Sequence, residues 1–313
     1  ISEDTLSLVA GKERRALSFL ITLDREGAVE KCDLKPSLIR VQRRLSYSEV
    51  DLLLDGRDDI LGILARLAER LKARRLAQGG YELKLPEVWV SFDPQGRVLV
   101  TLEDQETPSH QLVGETMVLA NSLVAAFLVE QGAPAIYRAQ PEPREAIDRE
   151  AKKTLLDLWQ DRRRLSRVVM DLKPQPHWGL GLPHYTFATS PIRRYLDLVT
   201  HRQILSLLMG EAPFYGPAEL DKIALVIDPA MRRAGLLKNL RLRYWLLKHL
   251  AGRLGQKLEA LVVEVQTHRS RLLIPELLLD APFTAPASLR LKPGDLVQVR
   301  LDKVAPRGDQ IKL

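Results

Sequence analysis

Residues 185–202 read YTFATSPIRRYLDLVTHR, a pattern that predicts a helix N-terminus built to hold an anion. Thr189 and Ser190 supply capping hydroxyls, and Pro191 suits the first helical position, where a missing N–H removes no bond. Arg193 and Arg194 then fall in the first turn, beside unpaired backbone N–H groups and the positive end of the helix dipole. Two guanidiniums in that setting favour phosphate. The same pattern also suits a well-capped core helix carrying two surface arginines.

Working outward, the spacing Y-x-x-x-T-S-P-I-R-R-Y-x-D-L-x-x-H-R resembles the signature of the RNase II/RNase R (RNB) family of exoribonucleases. The resemblance runs from about residue 3 to the C-terminus, with weaker matches at Arg44–Tyr47 and Gly114–Asn121. It implies an α+β fold: a partial RNB catalytic domain over 1–255, with a mixed sheet and packed helices, then a small OB-type RNA-binding barrel over 256–313. The implied activity is 3′-to-5′ exoribonuclease action on single-stranded RNA, releasing nucleoside 5′-monophosphates with Mg²⁺ held by carboxylates. Arg193 matches the family's catalytic arginine, and Arg194 is a second phosphate contact. Tyr185, Thr189 and Ser190 join the RNA-binding set beside them. The resemblance also puts Tyr47 against a base or ribose and Glu115 on the sugars, where a carboxylate accepting from a 2′-hydroxyl distinguishes RNA from DNA. Read without the family, these two are a half-buried tyrosine and a solvated helix glutamate. Phe187-Ala188 stands where relatives often carry His-Phe or a bulky pair, and Asn239 stands near a family glutamate.

One family element is absent. The metal-binding run of the D-x-D-D kind occurs nowhere in the sequence, and the nearest acidic doublet, Asp58-Asp59, opens an amphipathic pattern and suits a helix N-terminus. No metal ligand is assigned to this chain. The resemblance therefore implies the C-terminal portion of a longer protein, whose N-terminal portion, as a separate chain or a lost segment, supplies the Mg²⁺ ligands. A catalytically inactive RNB-like RNA-binding or scaffold module is the alternative. A phosphate-ester enzyme acting on small molecules also fits the signature but leaves the basic helices and the barrel without a use.

Composition bounds these readings. A chain of 313 residues with 45% hydrophobic content can bury one substantial core and a small accessory domain, which excludes general disorder. Forty-seven Lys and Arg against forty acidic residues give a net charge of +7, suited to a polyanion, whether nucleic acid or an anionic membrane. Cys32 is the only cysteine, so no disulfide framework or cysteine metal site forms within one chain, and a reducing, cytoplasmic setting is expected. No run approaches the roughly 18 uninterrupted apolar residues of a membrane span, and no membrane partner is expected.

Along the chain, strands are expected at 15–24 and 28–34 around Asp24-Arg25-Glu26-Gly27, and at 87–93 and 97–102 around Asp93-Pro94-Gln95-Gly96. Ile60, Leu64, Leu67 and Leu71 recur at helical spacing, and a second apolar helix is expected over 109–131. The run containing Arg162–Arg164 and Arg167 reads as a solvated helix face or as a positive rim for RNA. The glycines of His177–Leu182 allow close backbone approach to a ligand or a neighbouring strand. His201, four residues after Asp197, is expected to pair with it on the helix surface. Near 236–254 an apolar stripe is crowded by basic residues including Arg241 and Arg243, the expected wall of an RNA channel. Short strands are expected at 258–265, 271–276, 296–304 and 310–313, with His268, Arg269, Arg271, Arg290 and Arg300 meeting phosphates.

Overall fold

A computed structural model describes residues 5–55, 59–103, 107–149, 152–266, 269–285 and 289–313. The chain runs β1 (Glu13–Leu23), β2 (Val29–Arg40), α1 (Tyr47–Asp55), α2 (Asp59–Ala77), β3 (Glu87–Phe92), β4 (Val98–Glu103), α3 (Pro108–Glu130), β5 (Tyr137–Ala139), α4 (Leu155–Arg164) and β6 (Val169–Asp171). It continues with α5 (Tyr195–Leu208), α6 (Pro217–Ala251), β7 (Lys257–Val265), β8 (Ser270–Ile274), β9 (Leu279–Phe283), β10 (Leu296–Arg300), β11 (Lys303–Ala305) and β12 (Gln310–Lys312). Two compact units divide these elements: Ile1–Glu82, Glu106–Arg144 and Ser166–Asp228 form the first, and Leu83–Gln105, Glu145–Leu165 and Pro229–Leu313 the second. This division differs from a single cut near residue 255, because the β3–β4 hairpin and α4 belong with the C-terminal unit.

In the first unit, β1 and β2 pair antiparallel around a turn that Asp24 closes. Its Oδ1 accepts from the backbone N–H groups of Glu26 (2.9 Å) and Ala28 (2.7 Å), while Gly27 takes the left-handed conformation at φ +81°. Helix α3 starts on a proline and supplies Val124, Ala125 and Leu128 to a core completed by Tyr137, Ala188 and Ile204. By length and composition α3 is apolar enough to cross a membrane. Its polar residues Glu115 and Asn121 are buried and hydrogen-bonded within the unit. Strand β5 pairs with β6 and bridges Thr186, which lays residues 185–188 alongside it. Every described ladder is antiparallel, and the one described parallel feature is an isolated bridge between Gln140 and His177. The mixed sheet expected over 1–255 is therefore not found among the described ladders.

The glycines after His177 serve a backbone neighbour. A Cβ on Gly181 would lie 2.4 Å from the Gly80 nitrogen, and Tyr81 N–H donates to the Gly179 carbonyl at 2.9 Å. Gly181, at φ +65°, is doubly required, by conformation and by space.

The second unit builds its core from Leu246, Leu247 and Leu250 of α6, the inward residues of β7–β9, and Val88, Val90 and Val100 of the β3–β4 hairpin. Strands β10-β7-β8-β9 form a four-stranded antiparallel sheet, while β11 and β12 pair separately, with β12 lying alongside β9. No closed barrel is formed by these ladders among the described residues. Strand β9 was not expected, because Asp280 and Pro282 interrupt its apolar alternation, and the run 296–304 is divided into β10 and β11. Helix α6 carries Pro229 in its interior, at the residue where the second unit resumes.

Candidate functional site

The stretch quoted at the outset is a loop before it is a helix. Helix α5 begins at Tyr195, with Arg194 as an extended N-cap whose side chain makes no cap bond. Ser190 instead opens a turn: its carbonyl accepts from Arg193 N–H at 3.2 Å and Arg194 N–H at 3.0 Å, and Pro191 occupies the turn position that favours proline. The expected N-cap role of Thr189 and Ser190 is thereby corrected. Their hydroxyls receive guanidinium donors, Arg193 Nη2 on Ser190 Oγ and Arg194 Nη2 on Thr189 Oγ1, both at 3.2 Å.

Asp197 organises this loop from the first turn of α5. Fully buried, it accepts at one oxygen from Ser190 N–H (2.7 Å) and from Arg194 Nη2 (2.7 Å). The expected surface pair with His201 does not form, because His201 Nε2 meets the Ala188 carbonyl at 2.6 Å and Asp197 points inward. On the other side, Asn121 of α3 clamps the same segment. Its Nδ2 donates to Tyr185 Oη and its Oδ1 accepts from Ala188 N–H, each at 2.9 Å.

Two guanidiniums flank the buried Phe187 ring. Arg138 of β5, whose N–H donates to the Tyr185 carbonyl at 2.8 Å, places its guanidinium 5.5 Å from the Phe187 ring centre, and Arg194 lies 5.6 Å from the same centre. Burial, with Arg194 nearby, lowers the pKa of Arg138. Burial raises the Tyr185 hydroxyl. His177 packs edge-on against Tyr185, and burial together with Arg138 pushes it down to about 4, so the imidazole is neutral at neutral pH.

The structure brings Tyr185, Thr189, Ser190, Arg193 and Arg194 together. Arg193 is exposed there. Glu115 is held nearby in a bidentate pair with Arg75 (3.1 and 2.6 Å), and its side chain is only 9% exposed, so it is not the solvated helix glutamate of the plain reading. Tyr47 stacks on His110 with ring centres 3.9 Å apart. In the second unit Arg241 is exposed, whereas Arg243 is tied to Asp309 and to the Asp280 carbonyl. Of the α4 arginines, Arg163 pairs with Glu264 and Arg164 with Glu145 and Asp161, which favours the solvated-face reading for these two. Asp58 and His268 lie outside the described residues. Sequence reasoning missed Arg138 and Asn121. The available signal was a lone arginine in the apolar run Ala135–Ala139 and a lone amide on the apolar face of α3.

Among the described residues no group of three or more His, Cys, Asp or Glu is placed to hold a metal. Glu115 and Asp197 are each engaged by an arginine, and Asp197 Oδ2 is buried without a partner. A hard divalent ion needs several oxygen ligands, so these residues do not fit a Mg²⁺ site.

The RNB domain model matches residues 1–210. This chain belongs to the RNB-domain family. It is 32% identical over 323 residues to an uncharacterized ribonuclease of Synechocystis sp., covering 98% of this chain and 47% of that protein. It is 30% identical to the chloroplastic/mitochondrial ribonuclease II of Arabidopsis thaliana, covering 99% of this chain and 40% of that one. This RNB chain thus spans less than half the length of these curated relatives. Its fold matches Mycoplasma genitalium RNase R in complex with ribose-methylated single-stranded RNA (TM-score 0.83, 19% identity, 99% of this chain and 59% of that one). It also matches the Dss1 exoribonuclease of Candida glabrata (TM-score 0.85, 22% identity, 97% and 43%). Yeast Ssd1, a pseudonuclease, shares the fold as well (TM-score 0.71, 20% identity, 90% and 40%).

Proposed function

We propose that this RNB chain is the RNA-gripping portion of a 3′-to-5′ exoribonuclease that degrades single-stranded RNA to nucleoside 5′-monophosphates. In this reading Mg²⁺ is bound by carboxylates of an N-terminal portion that is not in this sequence. The observation that carries the reading is the Thr189–Arg194 loop, with an exposed guanidinium, Arg193, on a turn that Asp197 holds at Ser190 and Arg194 and that follows Ala188, which Asn121 holds. A fixed cation of this kind neutralises a phosphate as negative charge grows on it, without reorganising at the moment of reaction. The OB-type assignment of residues 256–313 belongs to the same proposal, supported by the strand order β10-β7-β8-β9 and by β12 beside β9. So does a cytoplasmic location, supported by the lone Cys32.

The test is a pair of assays on end-labelled single-stranded RNA. The chain alone should bind RNA, and joining it to its N-terminal portion should produce stepwise release of mononucleotides. The absence of an acidic cluster among the described residues favours a second reading, an RNA-binding RNB module without catalysis. Binding that persists while no reconstitution yields hydrolysis would establish that second reading.

A further inference from the structure

We propose that Arg138 is a phosphate ligand, forming with Arg194 a two-guanidinium seat on Phe187 for one phosphodiester of the RNA. The inference rests on the RNA-binding reading above. Arg138 is half-buried on β5, yet among the described residues its guanidinium has no carboxylate partner and no hydrogen bond. Its compensation within the fold is the face of Phe187 at 5.5 Å, which it shares with a second cation, Arg194, at 5.6 Å.

Two like charges on one ring are a poor choice for packing. A residue needed only to cover Phe187 would be apolar, since removing an uncompensated buried charge is generally stabilising. The charges around the ring leave room for one anion: Arg138 and Arg194 carry two positive charges, and Asp197, bonded to Arg194 at 2.7 Å, neutralises one. The remaining unit matches the single charge of a phosphodiester. Arg194 Nε and Asp197 Oδ2 are both buried without a partner, so the fold leaves the polar groups of this ion pair only partly satisfied. Planar guanidiniums grip phosphate oxygens in pairs, and the 2.8 Å bond from Arg138 N–H to the Tyr185 carbonyl fixes the strand that carries the fork.

The experiment compares the full chain with its Arg138→Met and Arg138→Lys variants. RNA affinity is measured on a single-stranded adenylate oligonucleotide across a salt series, and thermal unfolding is recorded with and without inorganic phosphate. Arg138→Met should weaken RNA binding about tenfold or more and flatten the log–log salt slope by about 0.7, the share of one phosphate contact, while the melting temperature holds or rises. Arg138→Lys should restore the slope and part of the affinity. A lowered melting temperature with an unchanged slope would make Arg138 a packing residue and overturn the proposal. A wild-type chain that binds no RNA would remove the functional reading together with the RNA ligand. If phosphate then still stabilised wild type and not Arg138→Met, the anion seat would stand as a site for free phosphate; stabilisation of both or neither would overturn it.

Discussion

Arg193 and His177 show how burial sets what a side chain does. Arg193 is exposed on a turn, with one anchor to Ser190 Oγ, so its charge is available to a substrate. In the enzyme assembled with its N-terminal portion, Arg193→Ala should lower kcat roughly a hundredfold or more, in line with losing an electrostatic donor worth about 3 kcal/mol. RNA affinity should fall much less, and Arg193→Lys should recover only part, because an ammonium lacks the two-pronged geometry. A variant that binds far more weakly yet turns over normally when saturated would make Arg193 a docking residue. His177 acts in the opposite sense. Its pKa is lowered from 6.5 to about 4 in the fold, so the unfolded chain takes up the proton first as pH falls. Its contribution to stability is full above pH 6.5 and is lost as pH drops toward 4, amounting to about 3 kcal/mol at most. His177→Gln should remove that part of the acid sensitivity, visible as the difference between wild-type and variant melting curves at pH 7 and pH 4.5. At this scale the sequence disclosed Arg193 and Arg194 through the motif around them. Arg138 and Asp197 stayed hidden, because an arginine in an apolar run and an aspartate in a helix acquire meaning only from Phe187 and Ser190, which the fold brings to them.

The loop before α5 and the hairpins differ in how far their elements can be read locally. Asp24 and Asp93 close their turns with backbone bonds two and four residues ahead, so both hairpins were expected within a few residues of where they form. Thr-Ser-Pro suits a helix cap and a turn equally, and the decision is made by Asp197, whose carboxylate is seven residues away from the N–H it accepts. Removing it should therefore unmake the loop. Asp197→Ala leaves Arg194 half-buried without its counter-charge and Ser190 N–H without an acceptor, a loss of about 3–5 kcal/mol that should lower the melting temperature by many degrees. Asp197→Asn keeps one acceptor oxygen and should cost clearly less. Equal stability for both variants and wild type would show that the loop is held by its turn alone. The C-terminal sheet was legible as alternating strands, whereas β9 was not, because Asp280 and Pro282 read as a break and only pairing with β8 makes them a strand.

Over the whole molecule, 47 cationic side chains exceed 40 anionic ones, but the excess is not spread evenly among available groups. Arg243 was expected on an RNA channel wall together with Arg241, yet it is engaged by Asp309 and the Asp280 carbonyl, while Arg241 is exposed. Binding to single-stranded RNA should weaken linearly on a log–log salt plot, and Arg241→Ala should flatten that slope by about 0.7. Arg243→Ala should instead lower thermal stability with little change in slope. Equal slopes in wild type and Arg241→Ala would take that face out of the RNA path. Charge and motif raised the expectation of a polyanionic partner, while which cations are free to meet one depends on ion pairs formed across long separations. The central proposal is that this chain grips RNA while the Mg²⁺ ligands come from an N-terminal portion, no metal-holding cluster being formed among the described residues. Its most direct test is to incubate the purified chain with end-labelled single-stranded RNA and Mg²⁺ and to resolve bound and cleaved RNA in the same samples. The account predicts a retarded complex with the RNA intact; Mg²⁺-dependent release of mononucleotides by this chain alone would contradict it.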